Sequence, residues 1–173
     1  DVNPFPEVDP DRYALWEMLV KRDIEAFVES DWSGVADDFI EEGFYGIDAQ
    51  KHVNPDCWAL TFPDLNSYKH EWLRQAADSR AITEKASLRE AIFRASRLKS
   101  IEIRGDRAVV HKLIKGPVQH RDGMVEELDW QTLYVCSRTA SGWKISSFVG
   151  YLPSKMGQCD MGRSAVHVPD AIQ

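Results

Sequence analysis

Apolar residues recur at two periods along this 173-residue chain, and the switch between them falls after residue 94. Between Arg12 and Ser30, the residues Trp16, Leu19, Val20, Ile24, Phe27 and Val28 stand at the spacing of one helix face. Asp11 just before them is a candidate N-cap. A short turn at Ser30-Asp31-Trp32 leads to a second expected helix over 33–41, capped by Ser33, with Val35, Ala36, Phe39 and Ile40 as its apolar stripe. Gly43–Asp48 reads as a short strand whose glycines mark a bulge or a close backbone approach. Trp58, Leu60 and Phe62 alternate as a second short strand. Pro63 and Asp64 open a helix over 65–77, with Leu65, Tyr68, Trp72 and Ala76 on one face. A further helix spans 83–94, where Ser87 and Glu90 form a capping box. Beyond it, 98–104, 107–115, 127–138 and 143–152 alternate with period two, as strands do. Gly105-Asp106 marks a tight hairpin, and 120–123 and 139–142 make longer turns. Helices followed by an antiparallel meander give an α+β chain. The three prolines of 1–10 predict an extended arm, and 153–173 a surface tail. No repeat or linker divides the chain, so one domain is expected over 1–173.

The strands do not alternate cleanly between apolar and polar. In 127–138 one face carries Leu128, Trp130, Thr132, Tyr134 and Cys136, and the other carries Asp129, Gln131, Leu133, Val135 and Ser137. In 143–152 both faces again hold large apolar groups. Helices can cover one face of such a sheet. The other would leave an apolar patch of a size that soluble monomers avoid, so a homodimer through the sheet is expected.

Charge and composition narrow the chemistry. Lys plus Arg is 21 and Asp plus Glu is 28, a net charge of −7, which disfavours a nucleic-acid partner. No apolar run approaches the roughly 20 residues of a membrane helix. Cys57, Cys136 and Cys159 form no CxxC pair, and His52, His70, His120 and His167 show no ligand spacing. No metal is therefore expected. Widely spaced thiols and no visible signal peptide fit a reduced, cytoplasmic protein. There is no GxSxG, P-loop, GxGxxG or HExxH motif, so no cofactor is expected.

The order of these elements carries a resemblance. A long helix runs into Glu29-Ser30-Asp31-Trp32-Ser33-Gly34-Val35, and Phe39-Ile40-Glu41-Glu42-Gly43 leads to a strand ending at Ile47-Asp48. A four-stranded meander follows, its last strand opened by Gly142-Trp143-Lys144-Ile145. This resembles the nuclear transport factor 2-like superfamily, which includes ketosteroid isomerase, scytalone dehydratase, limonene epoxide hydrolase and polyketide-cyclase-like proteins. The resemblance covers roughly residues 11 to 152. It implies helices packed in a curved antiparallel sheet of four to six strands, a conical pocket and frequent dimers, but no one reaction.

Candidate site residues follow from both lines of argument. Asp23 falls on the apolar stripe of the first helix, where a carboxylate must be paired, raised in pKa or exposed at the stripe's edge. An arginine ion pair is the structural alternative to a chemical role. By resemblance, Asp23 stands where ketosteroid isomerase carries its oxyanion-binding tyrosine. Asp48 stands near that enzyme's general base, or else is a surface residue starting a loop. His111 lies mid-strand in Val110-His111-Lys112-Leu113, which is similar to a histidine-bearing strand of scytalone dehydratase. Its alternative is a structural or interface role. Tyr45, Trp58, Trp130 and Tyr134 are candidate walls of an apolar pocket, against plain packing. Two functions fit. One is an isomerase, dehydratase, cyclase or hydrolase using carboxylate acid–base chemistry on a small apolar carbonyl or hydroxyl compound. The other is a non-catalytic ligand-binding or dimerisation domain.

Overall fold

The N-terminal helix starts at a proline that needs no helical N–H partner, behind the Asp9 carboxylate, which accepts from the Arg12 N–H. The cap is thus Asp9, not Asp11. Asp11 instead receives two guanidinium N–H groups of Arg138 at 2.7 and 2.6 Å and the indole N–H of Trp143 at 3.1 Å, which ties the helix to the sheet. In the computed structural model, which describes residues 1–156, the helix has three parts. These are α1 (Pro10–Trp16), a π-helical stretch Glu17–Arg22, and α2 (Asp23–Glu29). Leu15, Met18, Leu19, Val20, Ile24 and Val28 are all buried along it. Cys159, His167 and most of the tail lie outside the described residues.

The expected helix over 33–41 is two 3₁₀ turns, Trp32–Gly34 and Ala36–Asp38. The stripe is used as its spacing implies, since Trp32 and Val35 are buried and Phe39 packs beside them. Regular helix stops because the chain must reach the sheet. Phe39 is extended and bridges Ile145, and the Ile40 N–H donates to the Ile145 carbonyl. Helix α3 (Leu65–Ile82) begins at Asp64 with a reciprocal capping box to Ser67 and ends at residue 82 rather than the expected 77. Helix α4 (Lys85–Ala95) follows, its N-terminal residue Glu84 making no side-chain cap.

Six strands form one curved sheet in the order β2-β1-β6-β5-β4-β3: β1 (Tyr45–Asp48), β2 (Ala59–Phe62), β3 (Ser96–Arg104), β4 (Arg107–Gln119), β5 (Val125–Thr139) and β6 (Gly142–Leu152). The meander β3–β6 is antiparallel throughout. The expected all-antiparallel sheet needs one correction, because β1 pairs with β6 in parallel, making the sheet mixed. Alternation along a strand specifies its faces but not its neighbour. Here the parallel partners are the first and the last strand in the sequence. Gly105, at φ 56, makes the tight β3–β4 turn.

The helices fill the concave face. Strand faces there depend on two irregularities in β6. Val135 pairs with Ser147 and Cys136 with Ile145, so Ser146 is an extra residue. Leu133 pairs with Val149 and Gln131 with Leu152, so Gly150 and Tyr151 together face a single partner. Such bulges re-aim the side chains beyond them. The first brings Phe148 to the same side as Trp143 and Ile145, which strict alternation would oppose.

Gly46 in β1 shows how closely this face packs. A Cβ there would lie 2.6 Å from Cζ of Phe148, with Phe62 at 3.0 Å. Gly46→Ala is expected to destabilise the fold by about 1–3 kcal/mol through overpacking. An unchanged midpoint in urea denaturation would show that the Phe148 ring yields freely.

Candidate functional site

A cavity of about 490 Å³ lies between α2, α3 and α4 on one side and the concave faces of β4, β5 and β6 on the other. Its walls are mostly aromatic and aliphatic. Phe27 and Trp72 come from the helices, Trp130 and Tyr134 from β5, and Phe148 from β6. This is the size and character of a small-molecule pocket.

Its polar end is built on a buried lysine. Alternation in β4 turns Val110, Lys112 and Ile114 toward the helices, and Lys112 is only 2% exposed. A buried ammonium must be paired and hydrogen-bonded. Lys112 Nζ lies 2.9 Å from Asp23 Oδ2 and donates to the carbonyl of Leu19 at 2.5 Å, inside the π-helical stretch. The other carboxylate oxygen of Asp23 accepts from Trp72 Nε1 at 3.3 Å. Asp23 and Lys112 both border the cavity. Asp23 is therefore paired, as in the structural alternative but with a lysine in place of an arginine, and also faces open space.

Tyr68 and Tyr134 adjoin this pair. Burial raises both phenols well above their usual value of 10.0. The charge of Asp23 adds to the shift in each case, and the two rings are close enough for Tyr134 to act on Tyr68. Both rings are enclosed by protein yet keep some accessible surface, because the cavity reaches them. Neither hydroxyl is hydrogen-bonded among the described residues, so both are available as neutral donors.

The other end of the cavity is tethered by Tyr151, whose hydroxyl is hydrogen-bonded to the Gln75 amide at 2.8 Å. Tyr151, Gln50 and Lys51 all have φ between 51 and 57, and the Lys51 N–H donates to the Tyr151 carbonyl at 2.7 Å. Left-handed backbone at three non-glycine residues costs energy and is held by the surrounding structure. Here it places Lys51 over the Trp130 ring at 5.6 Å and Trp130 beside Tyr151 at 5.7 Å.

Of the residues singled out from sequence, the structure brings Asp23, Trp130 and Tyr134 together at the cavity and leaves four elsewhere. Asp48 ends β1 and turns its carboxylate to the backbone, accepting from the Gln50 N–H at 2.7 Å. His111 is the neighbour of Lys112 in a strand, so it points to the outer face. There its Nε2 lies 2.5 Å from Oε1 of Gln131. Tyr45 is 44% exposed on β1. Trp58 donates its indole N–H to the His52 carbonyl beyond the cavity. Sequence reading missed Lys112, Tyr68 and Trp72 as site residues. The available signal was Lys112 itself, a charge flanked at i±2 by Val110 and Ile114. Among the described residues no cluster of His, Cys, Asp or Glu is arranged to hold a metal ion, and no helix is long and apolar enough to cross a membrane.

No protein-family model matches the chain, and no curated protein matches it. Solved structures do. A nuclear transport factor 2-like protein with a cystatin-like fold from Novosphingobium aromaticivorans aligns with a TM-score of 0.55 at 12% identity, over 84% of each chain. A nuclear transport factor 2-like protein of unknown function from Pseudomonas putida KT2440 aligns at 0.52 and 14% identity, over 91% of this chain and 95% of that one. A nuclear transport factor 2-like superfamily protein from Salmonella enterica serovar Typhimurium aligns at 0.50 and 15% identity, over 91% and 99%. At these identities the likeness is one of fold. It agrees with the α+β cone and the superfamily resemblance expected from the sequence.

The raised phenols make stability fall in alkali. Tyr68 and Tyr134 hold their protons in the folded chain beyond pH 10.0, and the Cys136 thiol is pushed by burial from 9.0 up to about 12. Unfolding releases those protons, so the stability they provide is complete below pH 9. It declines above that, by about 1.4 kcal/mol per pH unit for each group past its unfolded value. Denaturant melts between pH 8 and 11 check this. The decline should be shallower in a Tyr68→Phe/Tyr134→Phe variant, and equal slopes would contradict the burial of these hydroxyls.

Proposed function

We propose, on the premise of a shared nuclear transport factor 2-like fold, that this chain binds a small, mostly apolar carbonyl or hydroxyl compound in the cavity. Its reaction is proton transfer, of the kind that serves isomerisation, dehydration, cyclisation or hydrolysis. The observation that carries this reading is the Asp23–Lys112 pair opening onto an aromatic cavity beside two phenols with unspent donors. Asp23 takes a proton from the carbon next to a carbonyl, or from a water. Tyr68 or Tyr134 donates to the oxygen on which charge develops. General-base steps of this kind contribute about 10²–10⁴-fold, and preorganised donors a comparable factor. Asp48 and His111, away from the cavity, take no part in it.

A non-catalytic binding role is the second reading. It is favoured by one observation, that both oxygens of Asp23 already accept hydrogen bonds. The two readings separate in one experiment. A naphthyl methyl ketone is incubated with the protein in D₂O, and exchange of its methyl protons is followed by NMR. Acceleration by the native chain, falling about 10²-fold or more in Asp23→Asn, is the expected result. Binding without any acceleration would leave only the non-catalytic role. Asn keeps the shape and an acceptor oxygen for Lys112 but not the countercharge, so the variant should be less stable, and circular dichroism checks that it is folded under the conditions of the comparison.

We also propose a homodimer through the outer face of the sheet. Val109 pairs directly with Val135 there, and Leu133 opposes His111. The three apolar side chains are 45%, 37% and 36% exposed, respectively. Sedimentation should give a dimer at micromolar concentration and a monomer for Leu133→Lys. A native monomer would overturn this interface.

A further inference from the structure

We propose that Lys112 is the residue that selects the ligand, and that the cavity takes a neutral ketone or aldehyde oxygen in preference to a carboxylate. The proposal rests on the binding reading above and deepens it. An ammonium has three donors. Two are used, by the Leu19 carbonyl and by Asp23 Oδ2. The third has no acceptor among the described residues, and Lys112 borders the cavity with almost no other accessible surface. The unspent hydroxyls of Tyr68 and Tyr134 lie nearby. The cavity wall thus carries donors not yet used, and an oxygen that only accepts is their complement.

Charge decides which oxygen. Asp23 already neutralises Lys112, so the pair carries no net charge. A carboxylate ligand would add an anion beside Asp23, whose like charge repels it. A neutral carbonyl adds none. The same arrangement suits the proton transfer. When Asp23 takes a proton from the carbon next to the carbonyl, that C–H pair becomes the C=C bond of an enolate. The carbonyl π pair then moves onto oxygen. Asp23 becomes neutral as the ligand oxygen becomes negative, so Lys112 keeps one counterion throughout, first Asp23 and then the enolate. A buried cation that never loses its partner avoids the large cost of an unpaired charge.

Three isosteric probes test this by titration: a naphthyl methyl ketone, isopropenylnaphthalene, in which CH₂ replaces the carbonyl oxygen, and naphthoate. The native chain should bind the ketone about tenfold or more tightly than the hydrocarbon, and more tightly than naphthoate. The infrared carbonyl stretch of the bound ketone should move to lower frequency. Lys112→Met should lose most of the ketone's advantage over the hydrocarbon and most of the infrared shift, the remainder coming from the Tyr68 and Tyr134 hydroxyls. Asp23→Asn leaves Lys112 without its counterion and should reverse the order, favouring naphthoate. Should Lys112→Met not fold, Asp23→Asn/Lys112→Met, which leaves no orphan charge, should likewise lose most of the ketone's advantage, with no gain for naphthoate. Ketone preference undiminished without Lys112 would overturn the assignment, as would unchanged naphthoate affinity in Asp23→Asn, or no binding of any probe by the native chain. Methyl-proton exchange without ketone preference overturns this assignment but not the proposed proton transfer. Ketone preference without exchange does the reverse.

Discussion

A lysine with 2% exposure can exist in a folded chain only where its charge is answered, and the arrangement around Lys112 supplies that answer. Its ammonium reaches across the core from β4 to the N-terminal helix, binding Asp23 at the start of α2 and the Leu19 carbonyl one turn earlier. Those two contacts set the position of the helix against the sheet. The helix is widened to π geometry at the residues that meet the lysine, and π segments recur at functional sites. Trp72 then closes on Asp23 from α3, so three elements converge on one charge pair. Such a pair is weak evidence for net stability, because both charges must be stripped of water to form it. Its persistence beside open space fits a role in what enters that space.

The shape of the space depends on β6. A strand of strict period two would divide its aromatic residues between core and surface. One extra residue at Ser146, and two facing one partner at Gly150–Tyr151, let Trp143, Ile145, Phe148 and Tyr151 all contribute inward. The cost appears as left-handed backbone at Tyr151, matched by the same conformation at Gln50 and Lys51 across the β1–β6 junction. Gly46 belongs to the same device, since only a residue without Cβ lets β1 pass the Phe148 ring. One edge of the cavity is thus shaped by backbone irregularities, and the other by ordinary packing of α2, α3 and α4.

The outer face of the same sheet has the opposite character. Val109, Leu133 and Val135 are partly exposed around His111 and Gln131, which hydrogen-bond to each other. Odd-numbered residues of β5 thus build a surface while even-numbered ones build a cavity. The same fold in proteins of low identity carries many chemistries, so what distinguishes this chain is the set of side chains it turns inward.

Much of this was legible in the sequence. The helix over 12–30, the helix opening at Asp64 and the four strands of the meander follow from spacing alone, because burying one face imposes a period of 3.6 or 2 on apolar residues. The order of those elements sufficed for the fold, and Asp23 stood out as a carboxylate on an apolar stripe. Asp48 and His111 could not be placed the same way. Whether a strand residue faces the core or solvent turns on a register shift of one residue, and nothing local in β6 announces its bulges. Lys112 sits one residue from His111, and only the assembled sheet shows which of the two points inward. The parallel pairing of β1 with β6 and the meeting of Asp23, Lys112 and Trp72 join segments far apart in the chain. Sequence therefore determined the periods and the elements they build. Tertiary structure decided which faces and which charges meet, because pairing and burial are set by long-range packing that no local pattern encodes.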